Sequence, residues 1–195
     1  MRSSALAVSC LLCLVGCPGA SDPPAQTKPE EVAMGKAELS LASSGFKNQG
    51  VIPQQYTGDG ADQSPPLAWS EVPEGTRQFA LIVDDPDAPR AEPWVHWVIY
   101  NLPGELRELP AGIPKDSELT QSAGAAQGRN SWPDGIGYGG PAPPKGHGPH
   151  RYFFRLYALD EALDLPAGLD KPKLLEAMDG HVLGTGQLMG TYERK

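Results

Sequence analysis

Short runs of hydrophobic residues, separated by glycine and proline, recur along the chain from residue 37 onward. Residues 79–83 form a continuous apolar run that ends at two aspartates, which is typical of a buried strand. Residues 94–101 and 152–159 are rich in aromatic and β-branched side chains and predict two further strands. Shorter strands are predicted at residues 38–43, 65–69 and 188–192.

A helical pattern lies near the C-terminus. Asp170 is a capping residue, Pro172 suits the first turn, and Gly180 suits the end of a helix. The apolar stripe between them consists of Leu174, Leu175 and Met178. A second short helix is predicted at residues 163–169. Several strands with one or two short helices near the C-terminus predict a mainly β fold, an antiparallel β-sandwich.

The segment 111–149 combines many chain-bending residues with two aromatic ones. It contains nine glycines and six prolines in 39 residues, together with Trp132 and Tyr138. A loop of this length inside a compact domain is usually either functional or disordered. Because it contains aromatic residues and ends against a predicted strand, we expect an ordered loop that contributes to a site.

Composition narrows the classes of protein that remain. The 195 residues carry 16 basic and 24 acidic side chains, a formal net charge of −8, which argues against a nucleic-acid-binding protein. The 23 glycines and 21 prolines exclude a helical bundle or a coiled coil. An anion bound by this chain must therefore meet a local positive pocket against an unfavourable overall charge.

The N-terminus has the pattern of an export signal. A positive start and an uncharged run predict a signal peptide over residues 1–16, and the four residues before residue 18 resemble a lipobox that ends at Cys17. An ordinary secretory signal with an incidental cysteine is the alternative. Residues 17–36 then predict a lipidated Cys17 followed by a proline-rich tether, and residues 37–195 predict one folded domain. This predicts a lipoprotein on the periplasmic or outer face of a membrane, the outer membrane where the host has one.

Two aspartates and two histidines are the candidates for chemistry. Asp85 and Asp87 follow a buried strand in the sequence DPDAP, which is either a turn or part of a site. Strict alternation places His96 on the same face as Val98 and Tyr100, either as a core residue or as a ligand contact.

The start of the strand at residue 152 offers a further pair of polar side chains. Alternation places His150 beside Tyr152, with Arg151 on the opposite face. Two hydrogen-bond donors side by side at the end of a strand are a candidate contact for an anion. Each of these segments is ambiguous when it is taken alone.

Taken together, five motifs resemble one family. They are SPPLAW at residues 64–69, DPDAP at 85–89, HWV at 96–98, GYGGPAPPKG at 137–146 and HRY at 150–152. Their order and spacing are similar to those of the phosphatidylethanolamine-binding proteins, with a closer likeness to the bacterial branch called Raf kinase inhibitor-like proteins. The resemblance covers nearly all of residues 39–192.

The resemblance implies a β-sandwich with a small anion-accepting pocket at one end and a cis peptide bond in its vicinity, for which Ala88–Pro89 is the candidate. We also expect the backbone amides of the Gly139–Gly140 turn to donate hydrogen bonds to an anion, because such a turn can act as a small anion-binding nest. The residues that the resemblance assigns to the pocket are Asp85, Asp87, Pro89, Trp94, His96, Gly139, Gly140, Pro141, Pro143, Pro144, His150 and Tyr152.

Two classes of function follow. The first is a binding protein without catalysis or cofactor, a monomer or weak homodimer that accepts a phosphate-like or carboxylate group of a phospholipid head group, phospho-ligand or peptide. Such a protein could regulate or inhibit an enzyme, and its protein partner is unknown. The second is a metal-dependent hydrolase that uses Asp85, Asp87, His96 and His150 as ligands. For the binding protein we expect affinity to rise as the pH falls from about 8 to about 6, because His96 and His150 gain charge near neutrality.

Overall fold

The computed structural model describes residues 37–119 and 124–195. The predicted signal peptide, Cys17 and the tether lie outside the described residues. In the described part of the chain, no helix has both the length and the apolar character needed to cross a membrane.

Among the described residues, ten strands form two sheets. The strands are β1 (Ala37–Glu38), β2 (Ser40–Ala42), β3 (Leu67–Ser70), β4 (Gln78–Asp85), β5 (Trp94–Pro103), β6 (Glu108–Leu109), β7 (Glu118–Leu119), β8 (Ala125–Gln127), β9 (His150–Leu159) and β10 (Val182–Tyr192). The larger sheet has the order β1-β10-β9-β4-β5-β8-β7, and the smaller has the order β2-β3-β6. All neighbours run antiparallel except β1 and β10, which are parallel. A 3-10 helix spans Gln54–Tyr56, and the α-helix α1 spans Lys171–Met178.

The main core lies between the two sheets. Trp69 of the small sheet packs with Phe79, Trp97 and Phe154 of the large sheet in one buried cluster. The other face of the large sheet is covered by α1, whose buried side chains are Leu174, Leu175 and Met178. The predicted mainly β sandwich with a helix near the C-terminus is therefore confirmed.

The α1 helix begins as its sequence predicts. The Asp170 side chain accepts a hydrogen bond from the Lys173 amide at 3.0 Å, and a proline stands in the first turn. The second helix, predicted at residues 163–169, is wrong, because this segment is irregular. Its backbone groups bond instead to side chains of β5: Asn101 contacts both the amide and the carbonyl of Leu165, and the Tyr100 hydroxyl donates to the carbonyl of Pro166.

The last strand is longer than the predicted 188–192. It begins at Val182, and its first half contains two glycines that pack against the chain near β1. A Cβ on Gly184 would lie 2.8 Å from the Ala37 carbonyl oxygen, and one on Gly186 would lie 2.8 Å from that of Leu39. Because this close approach requires glycine, the strand lacks the side chains that usually indicate a strand.

The long segment 111–149 is structured where the structure describes it. It contains β7 and β8, and Gln127 at the end of β8 is fully buried. The Gln127 amide donates to the carbonyls of Pro114 and Asp116 at 2.7 and 2.6 Å and accepts from the Trp97 indole at 2.7 Å. These bonds fasten the segment to β5, and Trp132 and Gly139 further along it contact Trp94 and His96 near the start of the same strand.

Candidate functional site

A buried aspartate and a buried histidine form the centre of the site. Asp85 is the last residue of β4 and His150 is the first of β9, and the antiparallel pairing of these strands places them side by side. Nδ1 of His150 lies 2.7 Å from Oδ2 of Asp85, and the two side chains are only 3% and 4% exposed. The other carboxylate oxygen of Asp85 accepts a hydrogen bond from the Asp87 amide at 2.8 Å. Both oxygens of Asp85 are thus engaged within the protein.

Asp87 binds an arginine rather than the centre of the site. Its two oxygens accept hydrogen bonds from Nε and Nη2 of Arg151 at 2.9 and 2.7 Å, and one of them also accepts from the Arg151 amide. The pKa of Asp87 is lowered below its ordinary value, chiefly by these side-chain hydrogen bonds from Arg151. Asp87 therefore fixes the turn after β4 to the start of β9.

His96 is brought toward Tyr152 by an irregularity in β5. Trp97 pairs with Val83 and Val95 pairs with Asp84, so that His96 is one extra residue between the two pairs. Such a bulge breaks strict alternation and turns a side chain to the other face of the sheet. Val95 then packs with Val98 and Tyr100, whereas the His96 ring lies 5.0 Å from the ring of Tyr152. The predicted grouping of His96 with Val98 and Tyr100 is wrong for this reason.

Burial keeps His96 neutral. It is 3% exposed, and the removal of its ring from water lowers its pKa from 6.5 to about 4. Nδ1 donates to the Gly139 carbonyl at 2.6 Å, which leaves Nε2 as an unprotonated acceptor. The expectation that His96 gains charge between about pH 8 and pH 6 is therefore wrong.

The Gly139–Gly140 turn positions the site but does not offer its amides. The Gly139 amide donates to the His96 carbonyl at 2.8 Å, and the Gly140 amide donates to Oδ1 of Asp62 at 2.6 Å. Both N–H groups that were expected to bind an anion are consequently engaged. Asp62 was missed because no spacing in the sequence links it to residue 140.

Aromatic rings surround His96. Trp132 lies edge-on to His96 at 5.1 Å and to Trp94 at 5.2 Å. A Cβ on Gly139 would approach the Trp132 ring to 2.5 Å, so a glycine is needed where the ring covers the turn. Trp132 was recognised as part of the long loop but not as a site residue, and only its aromatic character in a glycine-rich segment could have indicated it.

The Tyr152 hydroxyl is a buried polar group without a protein partner. The side chain is on the same face as His150, as predicted, and the residue is 1% exposed. Within the described residues, its hydroxyl has no hydrogen-bond partner. Burial raises the pKa of Tyr152, with Asp85 as the next contributor, so the hydroxyl stays protonated and can donate.

The four prolines assigned to the pocket differ in their burial. Pro141 and Pro143 are buried behind the Gly139–Gly140 turn, whereas Pro89 and Pro144 are exposed. The described residues contain no cis peptide bond, so the expected cis bond at Ala88–Pro89 is wrong. A cleft of about 400 Å³ adjoins the site: of the predicted site residues only Gly139 and Gly140 line it, together with Asp62, Lys115, Asn130 and Trp132.

The family can be decided by comparison with known proteins. Residues 42–193, which are most of the chain, match the phosphatidylethanolamine-binding protein family. The chain belongs to this family. A UPF0098 protein of Methanothermobacter thermautotrophicus is 48% identical over 156 residues, which cover 80% of this chain and 99% of that protein. A UPF0098 protein of Aquifex aeolicus is 45% identical over 161 residues, which cover 82% of this chain and 91% of that protein.

Two solved structures of family members are similar to this phosphatidylethanolamine-binding protein. A putative homologue from Chlamydia trachomatis has a TM-score of 0.71 at 41% identity, with 81% of this chain and 99% of that chain covered. E. coli YbcL also has a TM-score of 0.71, at 34% identity, with 82% and 100% covered. Because the relatives include archaeal proteins, membership of a bacterial Raf kinase inhibitor-like branch stays a prediction.

Family membership and geometry favour a ligand-binding role over the hydrolase. Proteins of this family are generally binding proteins rather than enzymes. In the part of the chain that the structure describes, no three His, Cys, Asp or Glu side chains are grouped to hold a metal ion. Asp87 faces Arg151 and the Nδ1 of His96 faces a carbonyl, so the four residues of the hydrolase hypothesis do not form a ligand set.

Proposed function

We propose that this phosphatidylethanolamine-binding protein is a membrane-anchored binding protein whose site between Tyr152, His96 and His150 accepts an acidic group. The single observation that carries the proposal is the Tyr152 hydroxyl, which is buried and has no partner among the described residues. A buried donor left without a partner costs about 1–3 kcal/mol, which a bound oxygen atom would recover. The hydroxyl therefore supports a ligand oxygen at this position.

The neighbours of this hydroxyl support an acidic group that still carries a proton. The neutral His96 offers an acceptor at Nε2, and the Tyr152 ring, which carries the donor, lies 5.0 Å from the His96 ring. A phosphomonoester with one proton, or a protonated carboxyl group, presents one donor and one acceptor side by side. A fully ionised anion beside Tyr152 would also meet the negative charge of the Asp85 carboxylate.

The phosphate-like group could belong to a phospholipid head group, a soluble phospho-ligand or a phosphorylated peptide. The predicted lipid on Cys17 would keep the domain near a membrane surface, where head groups are concentrated. A role as regulator or inhibitor of another enzyme would follow from a protein partner that carries such a group. We expect a monomer or a weak homodimer.

Isothermal titration with phosphoethanolamine tests the proposal. The full chain should bind it, and Tyr152→Phe should weaken binding about tenfold or more, because a hydrogen bond to a charged group contributes about 1.5–3 kcal/mol. Tyr138→Phe is the matched control, since its hydroxyl is equally buried but donates to the Tyr56 carbonyl at 2.7 Å. Equal affinity of wild type and Tyr152→Phe, or no binding by the wild type, would contradict the proposal. Vesicles containing phosphatidylethanolamine, compared with the soluble probe, distinguish a lipid from a free phospho-ligand.

A further inference from the structure

Beside the acidic-group site, two histidines face each other through ring nitrogens. His147 lies three residues before His150, and its Nδ1 is 3.3 Å from Nε2 of His150. Gly146 and Gly148 on either side of His147 have φ values of 78° and 82°. These left-handed conformations favour glycine, and they fold the loop so that His147 lies against His150.

Asp85 determines which nitrogen of His150 is available. Its carboxylate lies 2.7 Å from Nδ1 of His150, so Nδ1 carries the proton and donates to it. In the neutral ring, Nε2 then presents its lone pair toward His147. A carboxylate that accepts the second N–H of an imidazole is the arrangement that orients metal-bound histidines in proteins. Here the carboxylate and the imidazole are both nearly inaccessible to solvent.

The separation of the two nitrogens suits a shared metal ion. Zinc binds histidine nitrogen at about 2.0–2.1 Å in a tetrahedron, which places neighbouring ligand nitrogens about 3.3–3.4 Å apart. The observed 3.3 Å between Nδ1 of His147 and Nε2 of His150 equals this spacing. We propose that His147 and His150 form a two-imidazole site for a divalent transition-metal ion, with Asp85 as the residue that positions His150.

The surroundings of the pair define the kind of ion. His147 is exposed, so an ion there has open positions for water or for an oxygen of a bound ligand. Imidazole nitrogen suits Zn²⁺, Cu²⁺ and Ni²⁺, and affinity within this group increases toward Cu²⁺. The pair shares His150 with the proposed acidic-group site, but its two ligands need no anion to be present, so metal binding is tested separately.

Titration with NiCl₂ in a non-coordinating buffer at pH 7.5 tests the site. The full chain is used with its three cysteines, Cys10, Cys13 and Cys17, alkylated so that thiolates do not bind the ion. We expect one equivalent of Ni²⁺ to bind and His147→Ala to weaken binding at least tenfold. Asp85→Asn should weaken it by about tenfold to a hundredfold, the cost of losing an outer-shell partner.

His181→Ala is the matched control. His181 also faces carboxylates, with Nδ1 3.0 Å from Asp160 and 3.4 Å from Glu161, but no second imidazole lies beside it in the described part. Its replacement should leave Ni²⁺ binding unchanged. Absence of binding by the wild type would mean that the two rings share only a hydrogen bond, and the site would be wrong. An unchanged affinity in His147→Ala, an exposed position that can be replaced without disturbing the core, would overturn it equally.

Discussion

Asp85 holds His150 at 2.7 Å although 65 residues separate them in the chain. The contact joins the last residue of β4 to the first residue of β9, and both side chains are buried. The pair therefore contributes to the stability of the sheet end as well as to the site.

Replacement of this aspartate should destabilise the fold strongly. In Asp85→Ala the buried imidazole loses its acceptor, which we expect to lower the free energy of unfolding by about 3 kcal/mol. Urea denaturation at pH 7 measures this change. The matched control is Asp160→Ala, whose pair with His181 is 46% and 34% exposed and should contribute no more than about 1 kcal/mol. Equal losses in the two variants would contradict the prediction.

His96 should make the fold sensitive to acid between about pH 6.5 and pH 4. Its pKa is about 4 in the folded protein and 6.5 in the unfolded chain, so between these values only the unfolded chain takes up the proton. The stability contributed by the neutral ring is complete above pH 6.5 and is lost as the pH falls toward 4, in total about 3 kcal/mol. His96→Gln, which keeps a donor for the Gly139 carbonyl, should flatten this part of the stability curve.

Asp87→Asn is the control that distinguishes the pH dependence caused by His96 from one caused by the Asp87 carboxylate. Arg151 holds the pKa of Asp87 below its ordinary value of 3.8, so the stability that depends on its ionisation is lost only below about that pH. We expect Asp87→Asn to retain the wild-type slope between pH 6.5 and pH 4. A wild-type slope in His96→Gln would show that another group is responsible.

The sequence predicted those parts of the fold in which side-chain pattern and backbone agree. The strands near residues 79–83, 94–101 and 152–159 and the capped helix α1 are examples. The first half of β10 was missed because close packing against the chain near β1 requires glycine at positions 184 and 186. Residues 163–169 were wrongly predicted to be helical because their backbone groups are satisfied by β5 side chains, a long-range effect that local pattern does not contain.

The sequence predicted which residues form the site better than it predicted how they are arranged. The motifs brought Asp85, His96, His150 and Tyr152 together, as the structure does. The bulge at His96 reversed the predicted face, because an extra residue in a strand leaves no mark in the hydrophobic pattern. Trp132 and Asp62 were missed for a related reason: both reach the site from loops whose paths depend on tertiary contacts.

The two buried tyrosines near the site should respond oppositely to loss of the hydroxyl. Tyr138→Phe removes a donor from the Tyr56 carbonyl and should cost about 1 kcal/mol or more. Tyr152→Phe removes a hydroxyl that bonds to nothing among the described residues, so the ligand-free protein should be as stable as the wild type or more stable. Thermal unfolding of both variants provides the comparison. A marked loss in Tyr152→Phe would mean that its hydroxyl has a structural partner.

Cys17 should determine where the protein resides. If it carries lipid, Cys17→Ser should move the protein from the membrane fraction to the soluble fraction, because stable anchoring depends on the acyl chains. Fractionation followed by immunoblotting measures this. Unchanged membrane association in Cys17→Ser would contradict lipidation, and Cys13→Ser serves as the control that should remain in the membrane fraction.

Gln127 should hold the long loop against the sheet. It is fully buried and makes three side-chain hydrogen bonds, with Trp97, Pro114 and Asp116. Gln127→Leu would leave the buried Trp97 N–H and two carbonyls without partners, and we expect it to lower the free energy of unfolding by at least about 2 kcal/mol. The released segment should also be cleaved faster by trypsin after Lys115, under conditions in which the rest of the domain stays folded.

The control Gln187→Leu lies on an exposed position of β10 and should change stability by no more than about 0.5 kcal/mol. Wild-type cleavage after Lys115 in Gln127→Leu would show that the loop is held by other contacts.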